Sequence, residues 1–301
     1  MGAQQTISVS ELRANLFDEI RNALGLPRGK FWRAVVAPFF WLPVERFSQF
    51  GAAFDAEVAN FGFGVATKNA LATLVHKVEV MGVEKIPQNG PLLIASNHPG
   101  TYDGLAIAAQ LQREDVKIVV SRIPFIQNLK TAKRHFIFSG KEVHQRMLVI
   151  RDAIDYLKKG GAVLIFPSGH IDPEPAFMAG AIQELESWSR SLEIFVRKVP
   201  EAAVQVAIVS NVLLQRYTNN LLTKLRTQRI PRQRIAEFMQ VISQMVFNKK
   251  FDNTPKVTFD NPFTLQDLGM HKDRLEEFLP HVVERAKKLM KEHIQTESAH
   301  G

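Results

Sequence analysis

The sequence predicts an α/β fold with a largely parallel central sheet flanked by helices and preceded by a helical N-terminal segment. Three observations carry that reading. From residue 77 onward the β-rich runs KVEVMG, PLLIAS, VKIVVS, HFIFS, AVLIFP and VQVAIVS alternate with helical patterns such as MLVIRDAIDYLKKG. Strands alternating with helices argue for crossover connections between parallel strands. Before residue 77 the texture is helical, with no strand-like alternation. The chain of 301 residues, 46% hydrophobic and 23% charged, has a globular composition and the length to bury a substantial core.

Residues 1–76 therefore read as a helical N-terminal segment, and 77–301 as an α/β domain that includes the C-terminal helices. Within the first, SVSELRANLFDEI places Leu12, Leu16, Phe17, Ile20 and Leu24 at helical spacing behind a capping-box pattern of Ser8 and Glu11. This is an amphipathic helix rather than an export signal. The most apolar stretch, Ala34 to Val44, is interrupted by Pro38 and Pro43. It is far short of the roughly 20 apolar residues that span a bilayer. Its neighbours Trp32, Arg33, Arg46 and Phe47 suit a membrane interface, and a buried helix packed on the core is the competing reading. Beyond the last alternating unit, IAEFMQVISQMVF and HKDRLEEFLPHVVERAKKLMKEHI read as amphipathic helices, with a strand-like KVTFDNPFTL between them.

The chain has no cysteine, which excludes disulfides and thiolate metal sites and fits a cytoplasmic setting. A formal charge of +8 favours anionic partners. Between Glu201 and Glu237 there is no acidic residue, while Arg216, Lys224, Arg226, Arg229, Arg232 and Arg234 all occur. Leucines interleave with them, as suits an anionic membrane surface better than a nucleic-acid groove, which would want exposed aromatics. Arg226, Arg229, Arg232 and Arg234 are the membrane-contact candidates, with a solvated face beside a buried leucine stripe as the alternative.

Candidate chemistry begins at SNHPGTYDG. Here His98 and Asp103 fall where a strand hands over to a helix, the edge at which open α/β sheets bind ligands. Asp103 or Thr101 could instead cap the helix. A second buried-strand pattern, GGAVLIFPSGH, sends Ser168 and Gly169 out at the same edge. Together NHPGTYD and, some distance on, FPSG resemble the glycerolipid acyltransferase superfamily, whose first motif is NHxxxxD and third FPEGTRS. The resemblance spans roughly residues 78 to 212 and includes Val199-Pro200 ahead of VQVAIVS.

That resemblance implies an O-acyltransferase with no bound cofactor or metal, peripheral on the cytoplasmic face of a membrane. It would move an acyl group from acyl-CoA or an acyl-carrier protein to a lipid acceptor. His98 would be the general base and Asp103 its orienting carboxylate, with Asn97, Gly100, Ser168, Gly169 and His170 lining the substrate site. Backbone N–H groups near Gly100 would help stabilise the oxyanion. The departures from the family pattern are specific. Ser168-Gly169-His170-Ile171 stands where the third motif reads Glu-Gly-Thr-Arg, so its carboxylate and guanidinium are missing. Arg134, Lys141 and Arg197 are the cations expected to replace them if the acceptor carries phosphate. Otherwise glycerol 3-phosphate should be a poor acceptor. A hydrolase transferring the acyl group to water through the same base is the competing enzyme, and a basic lipid-binding protein without enzymatic activity is the alternative from another class. HIDPEP offers His170, Asp172 and Glu174 as a weak metal pattern, and Ser168 lacks the Gly-x-Ser-x-Gly elbow of serine hydrolases.

Overall fold

The computed structural model describes residues 7–23, 27, 29–100, 102–140, 142–224 and 226–298. The elements in order are α1 (Val9–Ala23), α2 (Lys30–Phe61), α3 (Phe63–Leu74), β1 (Glu79–Met81), β2 (Leu92–Ser96), α4 (Asp103–Ala108), β3 (Val116–Ser121), α5 (Pro124–Gln127), β4 (Phe136–Ser139), α6 (Val143–Leu157), β5 (Ala162–Ile165), α7 (Ala181–Glu184), α8 (Ser191–Lys198), β6 (Ala203–Ser210), α9 (Gln215–Thr218), α10 (Leu221–Lys224), α11 (Arg229–Phe247), β7 (Lys256–Phe259) and α12 (Phe278–Ser298).

The sheet runs β1-β7-β6-β2-β5-β3-β4. Five neighbours, β6, β2, β5, β3 and β4, are parallel, whereas β7 is antiparallel to β6 and parallel to β1. The largely parallel sheet expected from the alternating runs is therefore present, with KVEVMG and KVTFDNPFTL forming its reversed edge.

Both faces of the sheet are covered, which explains why β5 is apolar at every position and β2 at every position but Ser96. Leu92, Ile94, Ala162 and Leu164 point to one core, shared with Leu12, Val58, Phe63 and Leu71 of the N-terminal helices. Leu93, Ala95, Val163 and Ile165 point to the other, shared with α6, α8 and α12. The N-terminal helices thus share one face of the sheet with α4, whose Ala106 and Ile107 belong to the same core.

The capping box forms as the sequence suggested: Ser8 N–H donates to Glu11 Oε2 at 3.1 Å and Glu11 N–H to Ser8 Oγ at 3.3 Å. The apolar stretch around the two prolines behaves differently from its sequence pattern. Pro38 and Pro43 lie inside one helix of 32 residues, about 48 Å long at 1.5 Å per residue. Packing against α1, through Phe17, Leu16 and Val44, holds a helix that has lost two backbone donors.

Carboxylates tie these helices to the sheet. Glu114 accepts from Phe63 N–H at 2.6 Å and caps α3. Asp55, fully buried, accepts from the backbone N–H groups of Lys130 (3.2 Å), Thr131 (2.8 Å) and Ala132 (2.8 Å) ahead of β4, and from Ile7 at 3.3 Å. Removing that acceptor strands several buried donors, each worth about 1–3 kcal/mol. Asp55→Ala is expected to lower unfolding stability by roughly 3 kcal/mol in a urea titration, without abolishing the fold.

Candidate active site

Parallel strands bring their exit loops to one edge, and the loop after β2 holds the pair that the sequence singled out. Asp103 is the first residue of α4 and is 1% exposed. Its Oδ2 lies 2.7 Å from His98 Nδ1 and accepts from Gly100 N–H at 3.1 Å, while its Oδ1 accepts from Gly104 N–H at 2.6 Å. A carboxylate only accepts, so in the neutral imidazole Nδ1 carries the proton and Nε2 keeps its lone pair. The His98 side chain is 29% exposed and stacks on Phe166, just past β5, with ring centroids 4.5 Å apart. Burial lowers the affinity of the imidazole for a second proton. The Asp103 carboxylate outweighs it, with help from Glu237 and Asp172, and the pKa is pushed up to about 9.

The main chain of His98 is fixed as firmly as its ring. His98 N–H donates to Asp172 Oδ2 at 2.9 Å, and Asp172 N–H donates back to His98 O at 2.7 Å. Asn97 extends the sheet by one rung with its side chain: Nδ2 donates to Val209 O and Oδ1 accepts from Val209 N–H, both at 2.9 Å. It is fully buried, so its expected contact with substrate gives way to a positioning role. Gly100 is buried and its N–H is taken by Asp103, which leaves it no donor for an oxyanion.

In the loop after β5, Gly169 has φ +70°, the left-handed turn that glycine accommodates. Ser168 Oγ donates to His170 O at 3.0 Å. His170 Nε2 meets Glu184 Oε1 at 2.6 Å, and Glu184 Oε2 meets Arg229 Nη2 at 3.0 Å. Ligand-type atoms of His170, Asp172 and Glu184 lie within 4.8 Å of one another, but the Arg229 guanidinium already supplies the positive charge there. Glu174, the third member of the HIDPEP pattern, points elsewhere. It is fully buried and accepts from the backbone N–H groups of Ala176 (3.2 Å), Asn211 (2.7 Å), Val212 (3.1 Å) and Leu213 (3.2 Å). Burial raises its carboxyl to about 7 against the pull of those donors.

Residues 77–213 match the profile of the Acyltransferase family, and this segment contains every loop just described. That match supports the resemblance to the glycerolipid acyltransferase superfamily that NHPGTYD and FPSG carry. It supports an acyltransferase activity for that segment. Among solved structures it is similar to the 1-acyl-sn-glycerophosphate (LPA) acyltransferase PlsC from Thermotoga maritima, at 15% identity and a TM-score of 0.43, covering 94% of this chain and 97% of that one. No match is found among curated proteins.

The cations expected to serve this acyltransferase are placed differently from their sequence pattern. Arg134 precedes β4, and the register Phe136 to Ile118, Ile118 to Leu164 and Leu164 to Ile94 sets it level with Leu92, at the amino end of the sheet. His98 is at the other end, so Arg134 cannot reach an acceptor there. Arg197 is exposed on α8, which leads into the amino end of β6. Lys141 and Thr101 lie outside the described residues. Arg229 and Arg232 turn inward: Arg229 Nη1 donates to Ile171 O at 2.6 Å, and Arg232 donates through Nε and Nη2 to Thr218 O at 3.0 and 2.7 Å. Arg226 and Arg234 are exposed.

Sequence reasoning missed Asp172 as a partner of the His98 backbone, Phe166 as the surface under its ring, and the whole inner face of α11. That helix was read as amphipathic in the ordinary sense, yet its buried residues include Gln233, Gln240 and Gln244. Glutamines spaced by seven and four on one helical face were the available signal.

A Cβ on Gly100 would approach Val212 Cγ2 to 2.9 Å. Gly100→Ala should therefore push the His98 loop off Val212, costing about 1–3 kcal/mol as overpacking does and reducing turnover. Adding Val212→Ala should restore most of both, as measured by thermal unfolding and initial rates.

Proposed function

We propose that the acyltransferase uses His98 as general base and Asp103 as its orienting carboxylate. The observation that carries this reading is the 2.7 Å contact from Asp103 to Nδ1, on an imidazole whose Nε2 makes no hydrogen bond among the described residues. An acceptor hydroxyl gives its proton to Nε2 as its oxygen attacks the thioester carbonyl carbon. The tetrahedral intermediate then expels the thiolate, which recovers the proton from Nε2. Asp103 holds the productive tautomer and stabilises the imidazolium while it lasts. No acyl-enzyme is required. The acyl donor is acyl-CoA or an acyl-carrier protein, whose negative charge suits a chain of +8.

The acceptor is proposed to be a lipid hydroxyl whose recognition does not depend on a phosphate. Two of the replacement cations, Arg134 and Arg197, are at the wrong end of the sheet, and the guanidinium beside the third-motif loop, Arg229, is engaged by Glu184. Asp172 and Glu237 add negative charge around His98.

A peripheral membrane setting is supported by the surface of α2. Among the described residues no helix is long and apolar enough to cross a membrane. Phe31, Phe39, Trp41 and Leu42 are nevertheless exposed at 70%, 80%, 48% and 43%. At 100° per residue they fall within one half of the helix circumference. Exposed Arg226 and Arg234 remain available for anionic headgroups, with Arg229 and Arg232 serving the interior.

His98→Ala is expected to lower turnover by about 100-fold or more with the fold retained, and Asp103→Asn to be severely impaired. Because only neutral His98 accepts a proton, kcat/KM should rise with pH towards a midpoint near 9, and Asp103→Asn should move that midpoint down towards 6.5. Unimpaired transfer by a folded His98→Ala protein would remove this mechanism.

The reading as a whole is tested by incubating labelled acyl-CoA and acyl-carrier protein with glycerol 3-phosphate, lysophosphatidate and phosphate-free lipid acceptors, then identifying the product. A phosphate-free acceptor should be used at least as well as glycerol 3-phosphate. A strong preference for glycerol 3-phosphate, lost in Arg229→Ala, would overturn the acceptor assignment. Release of free fatty acid independent of any acceptor would favour the hydrolase.

A further inference from the structure

Helix α11 lies across the edge where β5, β2 and β6 end. Its buried glutamines bond to backbone outside the strands. Gln240 Nε2 donates to Val212 O at 2.8 Å and its Oε1 accepts from Leu214 N–H at 2.7 Å, in the loop after β6. Gln244 Nε2 donates to Leu74 O at 3.0 Å, at the end of α3. Gln233 has the most telling partners. Its Nε2 donates to Pro99 O and to Asp172 O, both at 2.8 Å, and the residue is 1% exposed.

Those two carbonyls belong to the loops after β2 and β5. Pro99 follows His98 directly, and Asp172 is paired twice with the His98 main chain. The carboxamide of Gln233 therefore closes a ring of hydrogen bonds running from His98 through Asp172 and Gln233 to Pro99. Arg229, one turn earlier, fixes the orientation of that carboxamide: its Nη1 lies 3.4 Å from Gln233 Oε1, so the NH2 end faces the two carbonyls. Two carbonyls need donors and one guanidinium needs an acceptor, and only one orientation of the amide satisfies all three.

We propose that Gln233 is a positioning residue for the acyl-transfer reaction, holding the loops after β2 and β5 at the separation that keeps His98 aligned on Asp103. This rests on the assignment of His98 as base. Gln233 touches neither His98's ring nor Asp103 and acts through the main chain on both sides of the histidine. Misalignment of about 1 Å by a change remote from the chemistry can cost roughly 100-fold in rate, so a single carboxamide at this point carries leverage. The charged groups acting on the His98 imidazole are Asp103, Asp172 and, from α11 itself, Glu237.

Gln233→Met keeps the length and bulk of the side chain and removes both donors. It is expected to lower kcat by about 10- to 100-fold while KM for donor and acceptor changes by less than about twofold. In histidine-labelled NMR, with the His98 resonance assigned by its loss in His98→Ala, the imidazole titration should move down towards 6.5 in the Met variant. A merely structural role would lower the melting temperature and leave both the KM-against-kcat split and that titration unmoved. Gln233→Glu, which swaps the donor for an acceptor facing two carbonyls, should act in the same direction. Should Gln233→Met fail to fold, Arg229→Met, which frees the carboxamide to rotate, reports the same two readouts. A folded Gln233→Met protein with unchanged kcat and unchanged His98 titration overturns the proposal. If at the same time His98→Ala is inactive, only the positioning role falls. If His98→Ala retains transfer, the base assignment falls instead, and the titration still reports whether Gln233 positions the ring.

Discussion

Where β5, β2 and β6 end side by side, the chain leaves the ladder while still inside the protein, and each peptide group past the last rung needs a partner that no strand provides. Buried N–H and C=O groups left without partners cost too much to tolerate in number. In this protein the partners are side chains. Asn97 continues β2 against Val209, Asp172 closes on the His98 backbone, Glu174 gathers the N–H groups after β6, and Gln233 and Gln240 supply carbonyl partners from α11. His98 stands within this scaffold, and its geometry follows from how completely the scaffold is satisfied.

Parts of this were legible in the sequence because they obey short-range rules. Period, apolar runs and turn residues identified the strands and placed His98 and Asp103 at a strand exit, five positions apart and able to meet. The family pattern in NHPGTYD and FPSG pointed the same way. What was not legible depends on which residues distant parts of the chain bring together. Arg134 is expected as a replacement phosphate-binding cation, yet the register of β4 sets it at the opposite end of the sheet. Arg229 and Arg232 look like surface charge in a run without acids, but carbonyls of Ile171 and Thr218 from other loops draw them inward. Glu174 is two residues from Asp172 and reads as its companion, whereas the turn between them sends one carboxylate to the β2 loop and the other to the β6 loop.

The electrostatic character of the site follows from the same economy of partners. Asp103, with Glu237 and Asp172, pulls the His98 pKa up to about 9 against the effect of burial. In the role proposed for it, such a base would favour the imidazolium formed during transfer at the expense of the neutral form, and the optimum would lie on the alkaline side of neutral.

The N-terminal helices and α4 share one face of the sheet, with Leu12, Val58, Phe63 and Leu71 in the same core as Leu92, Ile94 and Leu164. The span by which the family is recognised begins at residue 77, after all of them. A fragment trimmed to that span would keep α4 on this core but expose the apolar residues that the N-terminal helices pack with, a surface that invites aggregation. The part of this chain that matches the family is thus smaller than the part that must be synthesised, purified or grafted for its core to stay covered.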